Sequence, residues 1–121
     1  MALAARHLES GADAMHGGDG NDVMHGGTGA DSLTGDNNND SLFGESQNDS
    51  ITGDAGNDYV EGGTEDDSID GGADNDKLIG DSTVDGASGK DSITGGTGND
   101  TIAGDNAIID GVTLVTGNGN D

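Results

Sequence analysis

The sequence predicts an all-β solenoid of two parallel sheets sharing a thin aliphatic core, with 18 residues to each coil. Three registers in step predict it. Along most of the 121 residues, glycine opens a nine-residue unit, aspartate stands sixth and an apolar residue stands eighth. GGDGNDVMH at 17–25 and GGTGADSLT at 26–34 show the pattern back to back.

Position one is Gly17, Gly26, Gly35, Gly44, Gly53, Gly62, Gly71 and Gly80, and the series resumes at Gly95 and Gly104. Position six is Asp22, Asp31, Asp40, Asp49, Asp58, Asp67 and Asp76, then Asp91 and Asp100, with Asp13 in a degenerate leading unit, LESGADAMH. Position eight is Met15, Met24, Leu33, Leu42, Ile51, Val60, Ile69, Leu78, Ile93 and Ile102, all apolar. Each unit divides into six turn residues and three strand residues. Glycine supplies the positive φ angles of a tight turn and lets backbones approach closely. Alternation in the short strand sends position eight inward and positions seven and nine outward. One unit makes a strand and reverses direction, so two units close a coil.

The rhythm breaks twice. GDSTVDGASGKD, from Gly80 to Asp91, is six residues longer than a standard turn. Asp85 would keep strict spacing, but SIT at 92–94 is the better strand, so Asp91 takes the register. After Gly104 a longer insertion, with AII and VTLV, returns to a turn at Gly119 and stops mid-unit, as a fragment would. The expected organisation is a disordered lead at 1–8, the solenoid at 9–104 with an insertion at 81–88, and an insertion with a truncated repeat at 105–121. The open ends suggest end-to-end self-association.

Composition narrows the function. A formal net charge of -22 with three basic residues excludes a nucleic-acid surface and favours cations. Without cysteine there is no disulfide framework or thiolate metal site. No apolar run is long enough to span a bilayer, and the opening MALAARHLES has no apolar stretch long enough for a secretory signal, so cleavable export from this end is not expected. Two aromatic residues, Phe43 and Tyr59, cannot build an ordinary globular core.

The Asp rows carry the chemistry. Equivalent carboxylates one coil apart stack at roughly 4.8 Å, where bare charges repel and resist joint ionisation. Asp22, Asp40, Asp58 and Asp76 line one edge; Asp13, Asp31, Asp49 and Asp67 line the other. A hard cation between neighbours turns repulsion into binding. Calcium suits such a site, because it takes roughly six to eight oxygens, and glycine-rich turns can offer carbonyls. Magnesium wants a smaller octahedral shell and keeps its waters.

GGDGNDVMH, GGTGADSLT and GGTGNDTIA resemble the nonapeptide G-G-x-G-x-D-x-U-x of repeats-in-toxin (RTX) calcium-binding proteins, over about residues 9–104. The resemblance implies a right-handed parallel β-roll with Ca2+ in its turns, about six to eight ions in all. It implies ligands at the carbonyls of positions two and four plus the Asp of one turn. The turn one coil later adds the carbonyls of positions one and three plus its own Asp. One such site uses Gly18, Gly20, Asp22, Gly35, Asn37 and Asp40; its neighbour uses Gly27, Gly29, Asp31, Gly44, Ser46 and Asp49. Continued along the chain, the rule adds Gly53, Ala55, Gly56, Asp58, Gly62, Thr64, Asp67, Gly71, Ala73 and Asp76, then Asp91, Gly95, Thr97 and Asp100, with Asp13 at the leading end. Position four departs from glycine at Asn38, Gln47, Glu65 and Asp74, which weakens the middle sites, and the site spanning 80–91 is the least regular. The resemblance also implies a bacterial, extracellular protein exported by a type I secretion system through an uncleaved C-terminal signal.

Other chemistries fit less well. Of His7, His16 and His25, only His7 and His25 share a sheet, and two ligands make a poor zinc site. DDSIDG from Asp66 lacks the closing Glu of an EF-hand, since Lys77 stands there. An outward Thr-Gly-Asn ice-binding ladder is broken at position three by Asp19, Asn37, Ser46 and Ala55. No enzyme is expected: paired carboxylates that recur along the chain read as ligands rather than a glycosidase pair. The rival functional class is a structural or adhesive repeat of a large surface protein.

Overall fold

The computed structural model describes residues 6–7, 10–81, 89–103 and 113–115. Its strands are β1 Arg6–His7, β2 Ala14–Asp19, β3 Val23–Thr28, β4 Ser32–Asn37, β5 Ser41–Ser46 and β6 Ser50–Ala55. β7 Tyr59–Thr64, β8 Ser68–Ala73, β9 Lys77–Asp81, β10 Ser92–Thr97, β11 Thr101–Ala103 and β12 Thr113–Val115 follow. Odd strands β1 to β11 form one parallel sheet, while β2, β4, β6, β8, β10 and β12 form the other. Alternation between sheets is what a strand-and-reverse unit of nine residues produces. No described helix is long and apolar enough to cross a membrane.

Position eight makes the core. Met15 pairs with Leu33 and Leu33 with Ile51 in one sheet, and Met24 with Leu42 and Leu42 with Val60 in the other. These residues, with Ile69, Leu78 and Ile93, are buried, and Ile102 packs against them half-buried. The two columns face each other as a single aliphatic seam, too thin to need an aromatic side chain.

Strand length departs from the three residues expected. Interior strands such as β4 run six residues, from position seven through position three of the next unit. The reason is stacking: turn residues lie over their own equivalents one coil on, Gly18 on Asp36 and Asp19 on Asn37, so the ladder continues around the bend. The insertion register is also plain. Ile69 pairs with Ile93 and Leu78 with Ile102, 24 residues apart where other coils show 18, so the chain re-enters six residues late. Residues 82–88 of the expected insertion lie outside the described residues, as does 105–121 apart from β12. Of the lead, Arg6 and His7 are described, and they add a short strand over Met24 and His25.

Candidate metal centres in the turns

Each turn ends in an aspartate whose carboxylate is drawn inward and tied to the coil before it. The amide of Asp22 donates to Asp40 Oδ1 (2.7 Å), Asp40 to Asp58 Oδ1 (2.8 Å), Asp58 to Asp76 Oδ1 (2.9 Å) and Asp76 to Asp100 Oδ1 (2.9 Å). Along the opposite edge the same bond links Asp13 to Asp31, Asp31 to Asp49 and Asp49 to Asp67, each at 2.8 Å, then Asp67 to Asp91 at 3.0 Å. Asp91, rather than Asp85, therefore stands in the register.

From Asp31 on one edge and Asp40 on the other, one oxygen of each carboxylate is thus a fixed acceptor. The other is left over: Oδ2 of Asp31, Asp40, Asp49, Asp58, Asp67, Asp76 and Asp100 is buried with no hydrogen-bond partner, as are both oxygens of Asp22. Nine unpartnered buried carboxylate oxygens in eight turns are too costly to be packing accidents.

Position-one glycine explains where those oxygens point. A Cβ placed on Gly17 would lie 2.7 Å from both Asp22 Oδ2 and the Gly35 carbonyl oxygen. On Gly26 it would meet Asp31 Oδ2 at 2.6 Å and the Gly44 carbonyl at 2.8 Å; on Gly35, Asp40 Oδ2 at 2.5 Å and the Gly53 carbonyl at 2.7 Å. A side chain there would fill the space into which a carboxylate oxygen and a carbonyl from the next coil converge. Positions two and four need glycine for a different reason, a left-handed backbone: φ is 98° at Gly18 and 114° at Gly20. Where glycine is missing the conformation persists, with φ of 76° at Asp36, 79° at Asn38, 83° at Glu45 and 77° at Gln47.

Burial and like charge resist ionisation of Asp40, Asp49, Asp58, Asp67 and Asp76. Burial pushes Asp67 up to about 8, helped by Asp49, Asp91 and Asp81 and opposed by the Asp49 amide. Burial likewise raises Asp76 to about 7, and Asp40 and Asp49 to about 6, with neighbouring carboxylates adding to the shift. Asp58 moves the same way for the same leading cause.

The carbonyls expected as ligands are unequally placed. Those of Gly35, Gly44, Gly53, Gly62, Gly71 and Gly95, all at position one, face an Asp Oδ2 across the position-one glycine of the coil before. At position three, the Ser46 carbonyl accepts the Gly29 amide (3.3 Å) and the Ala73 carbonyl accepts the Gly56 amide (3.2 Å), so each keeps one lone pair. The Gly27 carbonyl accepts the Ser46 hydroxyl at 3.1 Å. Histidine is placed elsewhere: His25 Nδ1 lies 2.8 Å from Glu45 Oε1, and its ring stacks on Phe43 with centroids 4.7 Å apart. His16 stands on the other sheet, 3.6 Å from Asp36.

One column escapes a nine-residue search. The amide of Asn39 donates to Asn21 Oδ1, Asn57 to Asn39, Asn75 to Asn57 and Asn99 to Asn75, at 2.8–3.1 Å. These side chains hold position five of one edge. Their period is a whole coil, because the opposite edge carries Ala30, Asn48 and Asp66 at the same position.

The fit of a hard, oxygen-seeking cation follows from these donors: paired buried oxygens, no nitrogen or sulfur among them, and excess negative charge. Comparison with known families agrees. The model of the RTX calcium-binding nonapeptide repeat (4 copies) matches residues 9–42, 16–51, 34–67, 52–85 and 79–107. The chain belongs to the RTX family. No curated protein and no solved structure gives a significant match. RTX repeats are a structural calcium-binding unit rather than an enzyme family, and the two-sheet architecture described above is the β-roll that their nine-residue period builds.

Proposed function

We propose that this RTX chain binds calcium between neighbouring turns, about six to eight ions in all, and orders its β-roll on doing so. The observation that carries the reading is the row of unpartnered Oδ2 atoms, those of Asp22, Asp31, Asp40, Asp49, Asp58 and Asp76 each beside a carbonyl from the following coil, as with Asp22 Oδ2 and the Gly35 carbonyl at Gly17. The Asp of each turn, with carbonyls of positions one to four in adjacent coils, would hold the ion. Calcium supplies positive charge where the Asp ladders concentrate negative charge, and its variable coordination tolerates the irregular turns.

The chain's own residues prepare these sites. In the ordered roll the ladder bonds orient each carboxylate, and position-one glycine keeps the space open. Without calcium, a charge of -22 and a seam of ten apolar side chains cannot offset the entropy of ordering the chain. Export fits this dependence: an RTX protein made in a calcium-poor bacterial cytoplasm stays unfolded for type I secretion and folds outside. We read this region as non-catalytic, since its carboxylates recur in every coil. Circular dichroism during calcium titration tests the proposal. Coil should give way to β as calcium passes through roughly 0.1–1 mM, and equal β content in excess chelator would refute it.

A further inference from the structure

The turn that opens at Gly80 is built differently from the rest. In register, Asp81 pairs with Gly63 and holds position two. At that position Asp36, Glu45 and Asp54 have left-handed backbones (φ 76°, 83° and 73°) and turn their side chains toward solvent. Asp81 does not share that backbone, and it is 1% exposed. The opposite hand of φ sends a side chain to the opposite side of the chain, here inward. Its carboxylate meets Asp67 and Asp91, with one oxygen of each lying within 4.8 Å of the others. Asp67 is itself 3% exposed, and its Oδ2 has no hydrogen-bond partner. The Gly89 amide, where the insertion returns, donates to Asp81 Oδ2 at 2.9 Å and holds this carboxylate in place.

We infer that Asp81 is a third carboxylate ligand, with Asp67 and Asp91, of a cation site at the base of the insertion. Among the described residues, the other turns offer a cation two stacked carboxylates and rely on carbonyls for the remainder. Here three carboxylates converge, so the turn that looks least regular in sequence holds the most negative site. Affinity of calcium sites rises with ligand charge. The ion preferred is calcium or a larger, more highly charged hard cation, and this site fills first. The inference rests on the calcium-binding reading of the roll.

The test compares the full wild-type chain with Asp81→Asn and with Asp54→Asn, the exposed residue at the same position of another turn. Asparagine keeps an acceptor for the Gly89 amide and removes the charge. Bound calcium is counted by equilibrium dialysis at low free calcium, and β content is followed by circular dichroism in chelator and in calcium. Asp81→Asn should bind one ion fewer at low calcium, its site weakened about tenfold or more. Its β content at saturating calcium should equal that of wild type, because the weakened site still fills there. Asp54→Asn should match wild type throughout. Calcium counts for Asp81→Asn equal to those of Asp54→Asn overturn the inference while leaving the general reading intact. So does a loss of β content at saturating calcium that parallels the loss of binding, which marks a merely structural Asp81. Wild type that takes up no calcium overturns both.

Discussion

The amide of Asp40 donates to Asp58 Oδ1 at 2.8 Å, one full coil away, and leaves Asp58 Oδ2 buried with no partner. That single bond divides the carboxylate into a structural oxygen and an available one. Repeated along both edges, it makes the row of carboxylates part of the fold and the site at once.

The division can be separated by mutation. Asp58→Asn keeps an acceptor for the Asp40 amide and replaces the available oxygen with an NH2 group. Asp58→Ala removes both and orphans a buried amide, at about 1–3 kcal/mol. Both should raise the calcium needed for folding, with Ala worse, whereas Asp54→Ala at an exposed position should leave it nearly unchanged. Calcium titrations by circular dichroism decide this. Overlapping curves for Asp58→Asn and Asp54→Ala would place the ligands elsewhere.

Glycine at position one should be irreplaceable for binding even where its backbone is ordinary. Gly35 is not in the left-handed region, yet a Cβ there would lie 2.5 Å from Asp40 Oδ2 and 2.7 Å from the Gly53 carbonyl. Gly35→Ala is expected to lower the number of bound calcium ions by at least one in equilibrium dialysis. An unchanged ion count would show that the oxygens at Gly35 are not used.

Left-handed side-chain residues should be the easiest route to a more stable roll. Gln47 has φ 77°, a conformation costing roughly 1–2 kcal/mol for a residue other than glycine. Gln47→Gly should therefore stabilise the calcium-loaded fold by about 1 kcal/mol, after glycine's greater entropy loss is subtracted. Thermal denaturation at saturating calcium measures it, and a lower Tm would contradict the strain argument.

Acid should partly replace calcium. In the folded chain Asp67 titrates near 8, Asp76 near 7, and Asp40 and Asp49 near 6, all raised from 3.8. The folded state therefore holds more protons than the unfolded one between about pH 4 and 8, and stability falls as pH rises across that window. The contribution is complete below about pH 4 and lost by about pH 8. In chelator, β content should increase on acidification from pH 8 toward pH 4. A signal independent of pH would mean that the carboxylates are not buried in the metal-free chain.

Much of this was legible from spacing alone. Alternation at period nine placed Met15 through Ile102 in the core and split successive units between two sheets, because one apolar residue per unit can satisfy only one inward position. Strand quality, not strict spacing, identified Asp91, whose Oδ1 takes the Asp67 amide. The six-residue strands were not legible, since a turn that stacks on its own copy gains ladder bonds that no single unit reveals. The Asn21 to Asn99 column does not show at a nine-residue period because it repeats only once per coil. Asp81 was invisible for another reason: its sequence position matches Asp36 and Asp54, and only the sign of φ distinguishes them.

The central claim is that calcium and the fold are one equilibrium. Its most direct measurement is the far-ultraviolet circular dichroism of the full chain at neutral pH, titrated with calcium from excess chelator and, separately, with magnesium. Coil is expected in chelator, with a cooperative change to β as calcium passes through roughly 0.1–1 mM and much less change with magnesium at the same concentration. A β spectrum already complete in chelator, or an equal response to magnesium, would contradict the claim.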